Sequence, residues 1–270
     1  MRSIGIIGLG IIGGSIALSL KDKGYKIVGM NRSKEPLEKA LKSNIIDEAA
    51  SLDSPPETDI TFVCTTVTVT PYFIRKVLDC TDKTIVIDVA STKTFIMKDL
   101  DDLPAEKLSR FTGGHPMAGS EKTGIDYAKK DLFVNATFFL TPNRYTSEET
   151  ISQVKKVVGE LGANPVFISP EEHDKLVAYI SHLPQIISTS LSVVVKSAVE
   201  DKIVYSGRGY RDMTRLANSN FSVWRDIIAT NRNNISEAID TYKNFLDRMK
   251  SSIDRWDEKE LEEIFNMAKY

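Results

Sequence analysis

Ser3-Ile4-Gly5-Ile6-Ile7-Gly8-Leu9-Gly10-Ile11-Ile12-Gly13 opens the chain with an apolar run, a glycine loop and the start of an amphipathic stretch. The spacing G-x-G-x-x-G means little alone, but between a strand and a helix it is the loop that cradles a dinucleotide. Gly8 allows the tight turn, Gly10 leaves room for a pyrophosphate, and Gly13 lets the helix pack closely. Ile11 and Ile12 begin that helix, where phosphate charge is stabilised. The fold expected from this start is α/β: an N-terminal Rossmann-type, doubly wound, mostly parallel sheet.

Outward from the loop, the pattern continues to alternate. Apolar runs predict strands over 3–7, 26–30, 60–64, 84–88, 111–113, 137–140 and 165–168, with helices between them over 11–23, 34–42, 71–78, 94–100 and 148–161. After Ser169-Pro170 the strand signals stop, which divides the chain into a dinucleotide-binding domain, 1–168, and an all-α domain, 169–270, for dimerisation and substrate binding. Within it, His182 to Val199 is apolar with few charges. Such a helix is expected to be buried on all sides, most simply by a second copy of the chain, so a homodimer follows. The segment 257–267 is charged and reads as a solvated final helix.

Composition narrows the function. Lys plus Arg number 35 against 37 Asp plus Glu, a net charge of −2, which leaves no electrostatic footprint for nucleic acid. Cys64 and Cys80, one in an apolar run and one read as lying in a loop, lack metal-ligand spacing and are expected to be structural thiols of a reducing compartment. Neither a signal peptide nor a membrane-spanning segment is expected, so the protein is placed in the cytoplasm without a membrane partner.

After the second strand, where an NAD-selective loop usually carries an acid for the ribose 2′-hydroxyl, stands Asn31-Arg32-Ser33. Arg32 is suited to stack on adenine and meet a 2′-phosphate, with Asn31 and Ser33 donating, which leans towards NADP over NAD. An arginine over adenine suits NAD as well. Thr65 and Thr66, after the third strand, are expected to bind the cofactor.

Four further blocks carry chemistry. Gly113-Gly114-His115-Pro116-Met117-Ala118-Gly119-Ser120-Glu121 sets one of three histidines among glycines, where backbone approaches a ligand and an imidazole exchanges a proton near neutral pH. Asp88-Val89-Ala90-Ser91-Thr92-Lys93 follows a strand, so Ser91 faces the ligand crevice, caps a helix, or does both. Ser181-His182-Leu183-Pro184-Gln185 opens the apolar helix. Gly207-Arg208-Gly209-Tyr210-Arg211-Asp212-Met213-Thr214-Arg215-Leu216-Ala217, followed by Trp224, supplies arginines for carboxylates.

In this order the blocks closely resemble the prephenate and arogenate dehydrogenases of tyrosine biosynthesis, over almost the whole chain. The resemblance implies an NAD(P)-dependent oxidoreductase that decarboxylates prephenate to 4-hydroxyphenylpyruvate, or arogenate to tyrosine. It implies that His115 takes the proton of the ring hydroxyl as hydride leaves and that Ser91 orients that pair. It further implies that Arg215 binds a substrate carboxylate, that Glu121 and Arg211 form an ionic gate, and that His182 and Trp224 line the pocket. No metal is required. Two departures stand out: Gln185 replaces a second histidine common in the family, and Cys64-Thr65-Thr66-Val67 lacks a proline often found there. Neither a fused chorismate mutase nor an ACT domain is expected, so any tyrosine inhibition would act in the active site.

Two rivals share parts of this pattern. A 3-hydroxyacid dehydrogenase would use a lysine on a helix of its second domain and leaves H-P-M-A-G and S-H-L-P unexplained. A dinucleotide-sensing protein without chemistry would bind cofactor and turn nothing over.

Overall fold

Ile4 and Ile6 of strand β1 (Ser3–Ile7) pack into one apolar cluster and Ile7 into another, so the strand is covered on both faces. Ile85 and Ile87 divide from Val86 in the same way on β5 (Ile85–Asp88). In the computed structural model, which describes residues 2–119 and 122–269, β1 lies inside one eight-stranded sheet ordered β3-β2-β1-β4-β5-β6-β7-β8. The others are β2 (Lys26–Met30), β3 (Glu48–Ala49), β4 (Ile60–Val63), β6 (Phe111–Pro116), β7 (Thr137–Pro142) and β8 (Asn164–Phe167). Every pairing is parallel except β6 with β7. The strand order reverses at β1 and β4, which places a ligand crevice beyond their carboxyl ends. The doubly wound expectation holds.

Helices α1 (Ile11–Lys21), α2 (Lys34–Lys42), α3 (Thr70–Cys80), α4 (Thr94–Asp99), α5 (Ala105–Leu108) and α6 (Glu148–Glu160) accompany the sheet. Beyond β8 follow α7 (Pro170–Val177), α8 (Leu183–Val199), α9 (Arg208–Thr214), α10 (Phe221–Thr230), α11 (Arg232–Asp254) and α12 (Glu258–Met267), with no further strand among the described residues.

The glycine loop has distinct reasons for its glycines. Gly8 sits at φ 97°, and a Cβ there would lie 2.4 Å from the carbonyl oxygen of Cys64. A Cβ on Gly13 would lie 2.0 Å from the carbonyl oxygen of Gly8, whereas one on Gly10 would meet nothing within 4 Å. The first two are demanded by the fold; the third leaves a vacant approach.

Several expectations need correction. The strand expected to end at Gly113 runs on to Pro116, so His115 is a strand residue opposite Phe139 of β7 and not part of a loop. The glycines mark close approach instead of a strand end: a Cβ on Gly114 would lie 2.7 Å from the carbonyl oxygen of Asp88. Cys80 closes α3 and is not in a loop. The two-residue β3 is too short to leave a sequence signal.

Nor is α8 buried on all sides within one chain. Its buried residues are Gln185, Ser188 and Ser192, while Val193 and Val194 are 60% and 64% exposed. The inward face is polar because it has backbone to satisfy: Gln185 Nε2 donates to the carbonyl of Leu216 at 2.9 Å, and Ser188 Oγ accepts from Ala217 N at 3.1 Å. Joined to α7 and the turns at each end, it forms a continuous helical stretch, Pro170–Tyr205, long and apolar enough by length and composition to cross a membrane. A core helix passes the same test, so length and composition do not by themselves make this stretch a membrane span.

Gly13→Ala should push the Gly8 carbonyl aside and cost about 1–3 kcal/mol as an overpacking change. Gly10→Ala has open space around it and should cost under about 1 kcal/mol. Urea titration of the two variants separates them, and equal midpoints would contradict the difference in packing.

Candidate active site

At the carboxyl end of the sheet, side chains take over from the strand ladder. Pairing of β5 with β6 stops after Ile87 and Thr112. Beyond it Asp88 Oδ1 accepts from the amide of Gly114 at 3.3 Å, and Lys93 Nζ donates to the Gly114 carbonyl at 2.7 Å. Lys93 and Asp88 are themselves a fully buried ion pair, and Asp88 also accepts from Ala90 N at 2.9 Å. Burial pushes the Asp88 carboxyl up and the Lys93 ammonium down, each opposed by attraction to the other. This clip fixes Gly114, and with it the neighbouring His115.

A second support comes from α7. Ser169 and Glu172 form a capping box around Pro170 at the helix start, which sets where His173 and Asp174 fall. His173 Nε2 lies 2.9 Å from His115 Nδ1, and His173 Nδ1 lies 2.9 Å from Asp174 Oδ1. The carboxylate of Asp174 also accepts from the amides of Lys93 at 2.8 Å and Thr94 at 2.9 Å, the first amides of α4. Asn231 Nδ2 donates to the Asp174 carbonyl at 2.7 Å and lies 3.2 Å from His182 Nδ1. His182 meets the Trp224 ring edge-on, with centroids 5.8 Å apart.

The electrostatics follow from burial. Burial lowers His115 well below its usual 6.5, and repulsion from the Lys93 charge, and from His173 and His182 whenever they are protonated, adds to the effect. Burial likewise lowers His173, against the pull of Asp174, and brings His182 down to about 4. Burial opposes ionisation of Asp174, but hydrogen bonds from His173 and from the amides of Lys93 and Thr94 outweigh it and hold the carboxyl below its usual range. The site therefore holds neutral imidazoles against an ionised carboxylate. An unprotonated imidazole of this kind is ready to accept a proton.

The structure thus brings His115, His182 and Trp224 into one network. Ser91 lies half-buried, two residues before Lys93, and its side chain makes no hydrogen bond among the described residues. It does not cap α4, whose first amides are taken by Asp174 from across the fold. Thr65 Oγ1 shares a hydrogen bond with Thr70 Oγ1 at 2.9 Å, and the Thr66 carbonyl accepts from Thr70 Oγ1 at 3.0 Å. Two contacts dock α10, which carries Trp224, on these loops: Thr68 Oγ1 donates to Asp226 at 2.8 Å, and Thr92 pairs with Thr230 at 2.8 Å.

Other expectations fare differently. Asn31 does not offer a donor to a ribose phosphate: its Oδ1 accepts from Leu9 N at 3.0 Å and its Nδ2 donates to the Ser33 carbonyl at 3.0 Å, pinning the glycine loop. Arg32 and Ser33 are exposed beside it. Arg211 and Arg215 are exposed on α9 and the turn Arg215–Asn218, with Arg211 donating to the Ser206 carbonyl at 3.2 Å. Glu121 lies outside the described residues, so the expected ionic gate is not described.

His173, Asp174, Asn231 and Lys93 escaped sequence reading. The one available signal was the Ser169-Pro170-Glu171-Glu172 helix start, which predicts α7 and a histidine in its first turns but not what that histidine faces.

Comparison with known proteins gives this geometry a context. Residues 16–167 match the family model described as the prephenate dehydrogenase nucleotide-binding domain, and residues 169–267 match the prephenate dehydrogenase dimerization domain. A prephenate dehydrogenase of Bacillus subtilis is 33% identical, over 98% of this chain and 73% of its own length. A prephenate dehydrogenase of A. aeolicus, solved with hydroxyphenyl propionate and NAD+, is 32% identical with a TM-score of 0.90, covering 99% of this chain and 96% of that one. An arogenate dehydrogenase of Synechocystis is 31% identical with a TM-score of 0.83, covering 98% and 97%.

The buried histidines give stability a definite pH dependence. All three are held below 6.5 when folded, so the unfolded chain binds protons first as pH falls. Their contribution is intact above pH ~6.5 and lost progressively below it, at up to about 1.4 kcal/mol per pH unit for each histidine. Denaturant midpoints taken between about pH 7.5 and pH 5 should fall steadily, and a flat profile would contradict neutral burial.

Proposed function

The chain belongs to the prephenate dehydrogenase family, and from that premise we infer that it catalyses the oxidative decarboxylation of prephenate to 4-hydroxyphenylpyruvate with NAD(P). The observation that carries this reading is His115: a buried, neutral imidazole at the carboxyl end of the sheet, held from behind by His173.

The glycine loop fits a dinucleotide. Helix α1 has Gly10 as its N-cap, with no side-chain cap and no acid in its first turn, and the space beside Gly10 is open. The amides of Ile11 and Ile12 would take the pyrophosphate, with Gly8 and Gly13 shaping the turn and Thr65 and Thr66 beside the nicotinamide end. When bound, the cofactor supplies the hydride acceptor.

The chemistry asked of the protein is small. As hydride leaves the hydroxyl-bearing ring carbon, His115 accepts the hydroxyl proton. Loss of carbon dioxide then sends its bonding pair through the ring to that oxygen, which recovers the proton from His115. Prephenate and NAD(P)+ become 4-hydroxyphenylpyruvate, carbon dioxide and NAD(P)H with no proton left over, so the base needs no path to solvent. Ser91 would orient the reacting hydroxyl, Arg215 would bind a carboxylate, Arg211 and Glu121 would guard the entrance, and His182 and Trp224 would line the pocket.

The dimer would use the apolar surface of the helical domain, where Val193, Val194 and Phe221 are exposed and the core cluster is small. A cytoplasmic location fits this biosynthetic role. For the cofactor, we propose NADP over NAD. With Asn31 committed to the loop, Arg32 carries that choice, aided by Ser33. Arogenate, which has an amino group where prephenate has a keto group, is the second reading, favoured by the likeness to the Synechocystis enzyme.

His115→Asn should lower kcat by ~10²–10⁴-fold with little change in KM. Carbon dioxide release from prephenate and from arogenate, each with NAD and NADP, checks the reading. A folded variant with wild-type turnover removes His115 from the reaction.

Arg32→Ala should weaken NADP binding by about 1.5–3 kcal/mol, the scale of a charged hydrogen bond, while leaving NAD nearly unchanged. Calorimetric titration with both cofactors decides. Equal losses would mean that Arg32 only stacks on adenine, and a wild-type preference for NAD would overturn the NADP proposal.

A further inference from the structure

The hydrogen bonds around Asp174 leave little freedom in where the imidazole protons sit. An ionised carboxylate only accepts. Asp174 Oδ1 lies 2.9 Å from His173 Nδ1, so that nitrogen carries the proton. A neutral imidazole has one N–H, which leaves His173 Nε2 bare. The 2.9 Å contact between His173 Nε2 and His115 Nδ1 is then a hydrogen bond only if His115 donates. His115 therefore carries its proton on Nδ1, and its Nε2 holds a lone pair.

The main chain of Asp174 settles the second histidine. Its carbonyl only accepts, so the Asn231 atom 2.7 Å away is the amide nitrogen, and Asn231 Oδ1 consistently accepts from Asn234 Nδ2 at 2.7 Å. The same amide nitrogen lies 3.2 Å from His182 Nδ1, which must accept. Neutral His182 thus carries its proton on Nε2.

We infer that Asp174 sets His115 and His182 in opposite tautomers, the first as a proton acceptor through its carboxylate and His173, the second as a donor through its carbonyl and Asn231. Asp174, His173 and Asn231 are positioning residues, acting through the two imidazoles. The outcome suits a pocket that must take a proton from one substrate oxygen and donate a hydrogen bond to another. Among the described residues, the other charged groups close to His115 and His173 are Asp88, at the end of β5, and Lys93, just before α4. Both are engaged with each other and with Gly114, and neither competes for an imidazole nitrogen.

The inference rests on His115 being the base, but its test has a readout independent of turnover. The chain has three histidines, so two-bond proton–nitrogen correlation spectra of ¹⁵N-histidine-labelled protein, assigned with His115→Asn, His173→Asn and His182→Asn, read each tautomer directly. At about pH 7.5, His115 and His173 should appear as Nδ1–H and His182 as Nε2–H. His115 protonated on Nε2, or His182 on Nδ1, overturns the inference whether or not prephenate is turned over. Conversely, correct tautomers with no turnover would leave the inference standing and sink the functional reading.

Kinetics supply the second arm. Asp174→Ala removes the acceptor from His173 Nδ1, and with it the bond that fixes the His173 tautomer and then that of His115. It should lower kcat by at least ~10²-fold with KM changed much less. His173→Gln, whose carbonyl can still accept from His115, should keep more activity than His173→Leu. Asn231→Leu should chiefly raise KM. Equal loss in the two His173 variants, or a His115 fixed as firmly on Nδ1–H in folded Asp174→Ala as in the unaltered chain, overturns the relay.

Discussion

The carboxylate of Asp174 is the point on which the site turns. It lies on α7, beyond the last strand, yet it accepts the first amides of α4 on the sheet side and the ring N–H of His173 beside it. Hydrogen bonds to a charged group contribute about 1.5–3 kcal/mol each, roughly twice a neutral one. They also resolve two local problems together. A short helix has amides that its own sequence leaves uncapped, and a nearly buried carboxylate needs donors. Each supplies what the other lacks, so the helical segment is joined to the sheet where the catalytic histidine stands.

A second constraint acts from below. Beyond Ile87 and Thr112 the strands β5 and β6 stop pairing, and a buried lysine and aspartate hold the backbone of Gly114 instead. The glycines there let β6 come within reach of Asp88. Ion pairs of this kind are weak contributors to net stability, because desolvation offsets their attraction, but removing either partner leaves an uncompensated charge costing about 3–5 kcal/mol. The pair therefore holds position firmly while contributing little to net stability. His115 is held at Gly114 from one side and at its own Nδ1 from the other.

The apolar runs and the glycine loop made the sheet legible because both are local: short continuous apolar stretches for strands covered on both faces, and G-x-G-x-x-G between strand and helix. Local spacing also misled. Gly113-Gly114 reads as a strand end, yet the strand continues, since a contact 26 positions away decides it. Ser91 reads as a helix cap, yet the cap comes from Asp174. Beyond the helix start that precedes it, His173-Asp174 carried no signal of its own, because an imidazole and a carboxylate in a helix's early turns look like any solvated face. The apolar character of α8 was plain, but not which side faced inward; its polar side does, drawn by the backbone near Leu216 and Ala217.

Burial, a poor setting for most acid–base chemistry, suits this reaction. It keeps His115 neutral well below its ordinary range, at the cost of making it a weaker base. A weak base suffices when aromatisation drives the reaction and the proton taken from the ring oxygen is handed back to it. The imidazolium need exist only between those two events, with the Asp174 charge two hydrogen bonds behind it. A site that had to release its proton would require a conduit to water. One that borrows it can be sealed, and sealing strengthens each electrostatic contact that orients the ring.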